Sequence, residues 1–335
     1  VKGMILAGGR GTRLYPATLS VNKHMLAVFD KPMIYYPLSI LMMAGLREIL
    51  VISTPKGVPA FTDLLGDGGS LGLRIEYATQ EAPRGIAEAL RIGETFIGGG
   101  DVCLVLGDNV LFGDGLPGLL SSCVRHVETQ GGAAILGYPV CDAHEYGVVE
   151  VGPEGEVRSL EEKPDRPKSN LAVPGVYFYD GGAVDIARGL RASSRGELEI
   201  THVNRAYLER GELVAKRIGP RCTWFDAGTH HRLLECSARI AATERRESRK
   251  IGCIEEIAYR QGFIDAAQLH RLAAPLAHSS YREYLRRILE NAEPVDGDER
   301  RTRDGAPSAT HERGPVSGRD GAAPGRWVES GERTC

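Results

Sequence analysis

The chain has 335 residues, 41 Lys+Arg against 44 Asp+Glu, a formal net charge of −3, and 42% hydrophobic with 25% charged residues. That length suits one large domain or two ordinary ones, and the near-average composition excludes a disulfide miniprotein, a fibre and a membrane protein. The slightly acidic balance argues against a nucleic-acid binder held by bulk charge.

In chain order, a first strand is expected over Met4–Leu6, running directly into Ala7-Gly8-Gly9-Arg10-Gly11-Thr12-Arg13-Leu14. A glycine-rich loop at a strand's carboxyl end lets backbone N–H groups approach phosphate oxygens, since no Cβ intervenes, and Arg13 and Lys23 add cations within one loop's reach. Read alone, the same loop serves equally well as a tight turn. It is not a Walker A loop, because no Lys-Ser or Lys-Thr follows the glycines. Nor is it a dinucleotide fingerprint: Leu14 stands where the third glycine is due, and Ser53-Thr54-Pro55 offers no acidic residue to a ribose.

A helix follows over Leu38–Ala44, with Gly45 at its C′ position, then strands at Ile49–Ser53 and Ile75–Tyr77. Next come a helix over Ile86–Ile92, a strand at Val102–Leu106, a helix within Gly113–Gln130, and strands at Ala133–Tyr138 and Val173–Tyr179. These strand runs are apolar throughout, as in parallel strands covered on both faces. The alternation predicts an α/β fold, a Rossmann-like three-layer sandwich with a mostly parallel central sheet and ligands at the carboxyl ends of its strands.

From Leu234 the pattern turns to helices only: Leu234–Arg246, Cys253–Arg260, Ala266–Leu272 and Ser279–Asn291, with Phe263-Ile264-Asp265 as the turn before the third. The expected division is an α/β domain over 1–233, a helical appendage over 234–291 and a disordered tail over 292–335. The tail is rich in Gly, Pro, Ser and mixed charge and too poor in bulky apolar residues to offset the entropy of ordering it. Seven scattered cysteines form no C-x-x-C pair. There is no basic–apolar–small leader and no uncharged apolar stretch of about 18 residues, so a reduced, cytoplasmic protein is expected.

The segment L-A-G-G-x-G-T-R-L, a lysine about ten residues on (Lys23), and D-K-P-M-I at Asp30–Ile34 resemble the sugar nucleotidyltransferases. Asp30–Leu38 (DKPMIYYPL), Leu104–Asn109 (LVLGDN), Tyr146–Glu150 (YGVVE), Leu160–Pro164 (LEEKP), Arg195–Thr201 (RGELEIT) and Trp224–Thr229 (WFDAGT) narrow the resemblance to the glucose-1-phosphate thymidylyltransferases. It runs from Lys2 to about Leu289, and it implies the nucleotide-diphospho-sugar transferase type of α/β fold.

The resemblance implies a nucleotide site at Leu6, Gly8, Gly9, Gly11, Thr12, Arg13, Gln80, Gly85 and Asp108, where a side-chain amide and a backbone group can satisfy N3–H and O4 of thymine or uracil. It implies a sugar-phosphate site at Asn109, Tyr146, Gly147, Glu162, Lys163, Val173 and Tyr177. Arg13, Lys23 and Lys163 become the catalytic cations, and Asp108 with Asp226 an Mg²⁺-binding pair, a hard-oxygen site completed by substrate phosphates. By residue type alone, each aspartate reads more readily as a loop cap and Glu162-Lys163-Pro164 more commonly as an exposed turn, while Tyr177 reads as easily as core. The substrates implied are dTTP and glucose 1-phosphate, in a homotetramer with no nucleic-acid or membrane partner. UTP, another sugar 1-phosphate, or a non-catalytic nucleotide-sugar sensor are the alternatives. The helical appendage matches the family's oligomer-forming and feedback region, with Gly219, Arg221, Glu256, Ile257 and Arg260 as regulatory candidates.

Overall fold

In the computed structural model, which describes residues 1–291, the strands in chain order are β1 (Lys2–Ala7), β2 (Ala27–Val28), β3 (Lys31–Pro32), β4 (Glu48–Ser53), β5 (Arg74–Thr79), β6 (Val102–Leu106), β7 (Asn109–Gly113), β8 (Ala133–Pro139), β9 (Gly147–Val151), β10 (Val157–Glu162), β11 (Leu171–Ala172), β12 (Val176–Tyr179), β13 (Leu213–Arg217) and β14 (Cys222–Asp226). The helices are α1 (Tyr35–Met43), α2 (Val58–Leu65), α3 (Glu88–Ile92), α4 (Glu94–Ile97), α5 (Leu116–Gln130), α6 (Ala183–Gly189), α7 (Ile200–Glu209), α8 (His230–Glu247), α9 (Ile254–Arg260), α10 (Ala266–Ala273) and α11 (Ser280–Glu290). The expected tail, 292–335, lies outside the described residues.

Strands β5, β4, β1 and β6 lie side by side in parallel. β12 is inserted antiparallel between β6 and β8, and β13 runs parallel to β8. A smaller antiparallel run, β11-β9-β10, continues from the far end of β8, and β7 with β14 forms a separate ribbon.

Alternate residues of the central strands enter two different cores. Ile5, Val51, Val105 and Phe178 pack with Leu38 of α1 and Leu120 of α5, while Met4, Leu50, Leu104 and Tyr177 pack with Leu90 of α3 and Val203 of α7. Both faces are covered, so both alternating sets must be apolar; this is the three-layer sandwich that the apolar runs predict. α1 is buried from Tyr36 through Met42, as a helix enclosed on all sides must be. α9 lies against it, with Ile254 and Ala258 in the same core, which seats the helical region on the sheet domain.

The six expected strands and seven expected helices are all present, with ends shifted by a few residues. The β9–β10 hairpin and α7 were not anticipated. β10 has one buried residue, Leu160, among half-buried and exposed positions rather than an apolar run, because one of its faces meets solvent. Gly45 sits at φ 84 after α1, and Asp265 caps α10 by accepting from the Gln268 N–H. No helix among the described residues is long and apolar enough to cross a membrane.

Candidate active site

The topology brings the carboxyl ends of β1, β5 and β6 to one edge, where a cleft of about 370 Å³ opens, within the usual size of a ligand pocket. Gly8 follows β1, and a Cβ there would lie 2.6 Å from Gln80 Oε1, so a larger residue would displace the amide. Gly9 and Gly11 take the left-handed conformation at φ 85 and 61, which opens the loop ahead of the short turn Thr12–Leu14. Thr18 donates to the Gly11 carbonyl at 2.7 Å and pins the loop.

Lys23 is aimed by its neighbours. Asn22 accepts from the His24 N–H and caps the turn Lys23–Met25, while its amide reaches the Ala7 carbonyl and Ser53 Oγ. His24 is buried, and burial followed by the Lys23 charge pushes its pKa down to about 3, so it is a neutral packing group. Lys23 Nζ lies 2.5 Å from Asp108 Oδ2.

Asp108 follows β6, and the chain reverses at once into β7. The β7–β14 ladder pairs Asn109 with Asp226, and the Ala227 N–H donates to the Asp108 carbonyl at 2.9 Å, placing the two aspartates side by side. Burial alone would raise the Asp108 carboxyl, but Lys23, His24 and the Lys23 hydrogen bond outweigh it and hold the group well below the usual carboxylate range. Asp226 is pushed upward, by burial first and then by Asp108, against the charges of Arg13, Lys23 and Arg232. Two buried carboxylates thus compete for positive charge. Among the described residues no cluster of three or more His, Cys, Asp or Glu side chains converges as a metal cage. The donor set is therefore two hard oxygen groups, which leaves the remaining positions of an octahedral ion to water or phosphate.

Asn109 is nearly inaccessible. Its Oδ1 accepts from the Gly175 N–H at 2.8 Å and from Trp224 Nε1 at 2.7 Å, and its Nδ2 donates to Asp108 Oδ1. It lines the cleft as a scaffold for Asp108. Tyr146 packs edge-on against Trp224 at 5.1 Å, and its carbonyl accepts from the Lys163 N–H. Lys163 itself has φ 44, a strained backbone conformation for an L residue carrying a Cβ. Glu162 accepts from Thr201 Oγ1 at 2.5 Å and lies 3.5 Å from Arg195. Gly147 sits beside this carboxylate, and Val173 donates its N–H to the Gly147 carbonyl. The Tyr177 hydroxyl is pushed upward by burial and by the facing Glu162 and Asp108.

Gln80 is buried, its Nε2 donating to Glu88 at 2.9 Å and, at 3.4 Å, to the Gly85 carbonyl. Gly85 has φ +106, and a Cβ there would lie 2.5 Å from the Leu198 backbone.

The cleft therefore gathers Leu6, Gly8, Gly9, Arg13, Lys23, Gln80, Gly85, Asp108, Asn109, Tyr146, Gly147, Glu162, Lys163, Val173, Tyr177 and Asp226. Gly11 packs on Lys23 and Thr18 and Thr12 opens the following turn, so these two shape the loop from behind. Residue reading missed Arg195, Glu199 and Thr201, which also line it; the RGELEIT segment was the available signal. Gly228 was missed too: a Cβ there would lie 2.7 Å from an Arg13 nitrogen and 2.8 Å from Asp226 Oδ1. A second cleft, of about 690 Å³, is lined by Arg221, Glu256, Ile257 and Arg260, with Arg239 and Lys250; Gly219 is outside its lining, next to Pro220.

The nucleotidyl transferase family pattern matches residues 2–243. The glucose-1-phosphate thymidylyltransferase of Xanthomonas campestris pv. campestris is 51% identical over 284 residues, 85% of this chain and 95% of that protein. The enzyme of that name from Mycobacterium tuberculosis is 51% identical over 290 residues, 87% of this chain and 99% of the relative. A crystal structure from Bacillus anthracis, described as a glucose-1-phosphate thymidylyltransferase in complex with sucrose, superposes with a TM-score of 0.65 at 37% identity, over 71% of this chain and 94% of that one. With a glycine loop, two aspartates and a lysine turn gathered in one cleft, and likeness of this extent on either side, the chain belongs to the nucleotidyl transferase family, in the branch of the glucose-1-phosphate thymidylyltransferases.

Proposed function

We infer that the chain transfers a deoxythymidylyl group from dTTP to α-D-glucose 1-phosphate, giving dTDP-glucose, a precursor of dTDP-rhamnose and other deoxysugars, and pyrophosphate. The observation that carries this is the convergence of the Gly8–Gly11 loop, the Asp108–Asp226 pair and Lys163 on one cleft. A phosphate oxygen of glucose 1-phosphate attacks the α-phosphorus in line; the bond to the bridging oxygen breaks, and pyrophosphate leaves with that electron pair. The second pKa of a phosphomonoester lies near 6, so the nucleophile is already largely dianionic and needs no general base.

The work left to the protein is positioning and charge neutralisation. The loop N–H groups, Arg13 and Lys23 hold the triphosphate, Lys163 holds the sugar phosphate, and Glu162 accepts from sugar hydroxyls. The Gln80 amide, fixed by Glu88, reads the base edge. Asp108 and Asp226 are the residues that would hold Mg²⁺, which supplies Lewis-acid stabilisation of phosphoryl charge when bound. The pressure that Asp108 puts on the buried Asp226 carboxylate is what a divalent cation between them would relieve.

The same reading includes a cytoplasmic homotetramer and the division into catalytic (1–233) and helical (234–291) parts, supported by the resemblance of the helical region. The second cleft then takes a feedback nucleotide at Arg221, Glu256, Ile257 and Arg260. Pyrophosphate release with glucose 1-phosphate and dTTP, run beside UTP and beside galactose and N-acetylglucosamine 1-phosphates, tests the reading. Release with the first pair is expected to exceed every other combination. Release only with UTP contradicts the nucleotide assignment, and no release with any pair favours a nucleotide-sugar sensor.

A further inference from the structure

Arg232, in the first turn of α8, lies behind the cleft and was not among the residues singled out by sequence. Its guanidinium gathers three carboxylates: Asp142 at 2.9 Å and Glu145 at 2.5 Å from one distant segment, and Asp226, just ahead of α8, at 3.7 Å. It also lies 5.2 Å from the centre of the Tyr146 ring, whose other contact is Trp224 at 5.1 Å. The side chain is only 19% exposed, so these contacts are partly shielded from water. Arginine's planar fork can hold several acceptors in fixed directions and stack on an aromatic face, which a lysine cannot reproduce.

The consequence for the cleft follows from connectivity. Asp142 and Glu145 flank the short turn Ala143–Glu145, and Tyr146 and Gly147 come immediately after it. The Tyr146 carbonyl accepts from the Lys163 N–H at 2.9 Å, and Gly147 stands beside the Glu162 carboxylate. A clamp on the turn therefore fixes the wall on which Tyr146, Glu162 and Lys163 are assembled. The nucleotide side, with the Gly8–Gly11 loop and Gln80, is held separately by Thr18, Asn22 and Glu88, and Arg232 approaches that side at Asp226, 3.7 Å away.

We propose that Arg232 is a positioning residue for the sugar-phosphate half of the cleft: it ties the Asp142–Tyr146 turn to α8 and β14 and so sets the place of Tyr146 and Lys163. The proposal rests on the reading given above for the two substrates. Wild-type turnover tests that reading, and the Arg232 variants are compared only with active wild type, so the two fail separately.

The test is Arg232→Ala and Arg232→Lys, with KM for each substrate, glucose 1-phosphate binding by calorimetry, and melting temperature. A misplaced wall predicts that Arg232→Ala raises KM and Kd for glucose 1-phosphate about tenfold while KM for dTTP stays within about twofold. Arg232→Lys recovers less than half of the loss on a logarithmic scale, and millimolar guanidinium restores part of it to Arg232→Ala. Should Arg232→Ala fail to fold, the Asp142→Asn/Glu145→Gln double variant removes the exposed end of the clamp and is expected to show the same substrate split at about threefold. Equal changes in both KM values, or no change in either, in whichever variant folds, overturn the proposal whatever the melting temperature does.

Discussion

Replacing Gly85 with alanine separates packing from ligand contact in the loop proposed to meet the base. At φ +106 an L side chain is strained, and the new Cβ would lie 2.5 Å from both the nitrogen and the oxygen of Leu198. Left-handed backbone costs an L residue about 1–2 kcal/mol, and forcing an extra methyl into packed structure costs about 1–3 kcal/mol more. The Leu198 backbone cannot swing aside cheaply, because its N–H donates to the Arg84 carbonyl at 2.7 Å and its carbonyl accepts from Ala87 at 3.0 Å. A loss of about 3 kcal/mol, divided by an unfolding entropy of about 0.6 kcal/mol/K for a unit of this size, lowers the melting temperature by about 5 °C. The shift also moves the carbonyl that Gln80 Nε2 reaches, so KM for dTTP should rise about tenfold. Scanning calorimetry and initial-rate kinetics measure the two effects. A melting temperature within about 1 °C of wild type together with an unchanged KM for dTTP refutes the reasoning.

Gly228→Ala places a methyl between the Arg13 guanidinium and Asp226; pyrophosphate release should fall at least about tenfold with little change in melting temperature, since a flexible side-chain end can give way. Asp30 is held below its ordinary pKa: burial opposes ionisation, but Lys31 and Lys250 outweigh it. Its stabilising contribution is therefore present above the ordinary carboxylate range and is lost as pH falls through the folded value. Lys250 is raised by Asp30 and Glu244 against its own burial, so its contribution persists at neutral pH and is lost only as pH rises through its folded value. Asp30→Asn should lower the melting temperature at pH 7, and the gap to wild type should narrow as pH drops below about 4; a constant gap across pH would show that the ion pairs contribute nothing.

The sandwich was legible because its strands bury both faces, so the apolar runs mark them without knowledge of their order. β9 and β10 escaped notice because a half-solvated hairpin buries too few positions to form a continuous apolar run. The glycine-rich loop after β1 was legible because its residues are contiguous. The pairing of Asp108 with Asp226 depends on a ribbon between segments more than 100 residues apart, and residue types alone left each aspartate as a possible loop cap. Asn109 was expected at the sugar; it lines the cleft, and the structure adds that its carbonyl oxygen is held by Gly175 and Trp224. Arg232 left no local mark, since its acidic partners Asp142 and Glu145 are 90 and 87 residues away. Gly85 was read as making room for nucleotide, and the structure adds a second constraint in Leu198.

In the proposed reaction, the Asp108–Asp226 pair organises charge at the reacting phosphorus. Turnover of Asp108→Asn, at saturating glucose 1-phosphate and dTTP with Mg²⁺ present, tests it most directly. Losing a charge-organising group of this kind predicts a fall in kcat of at least about 10²-fold with the fold intact by circular dichroism. Near-wild-type turnover under those conditions would contradict the claim.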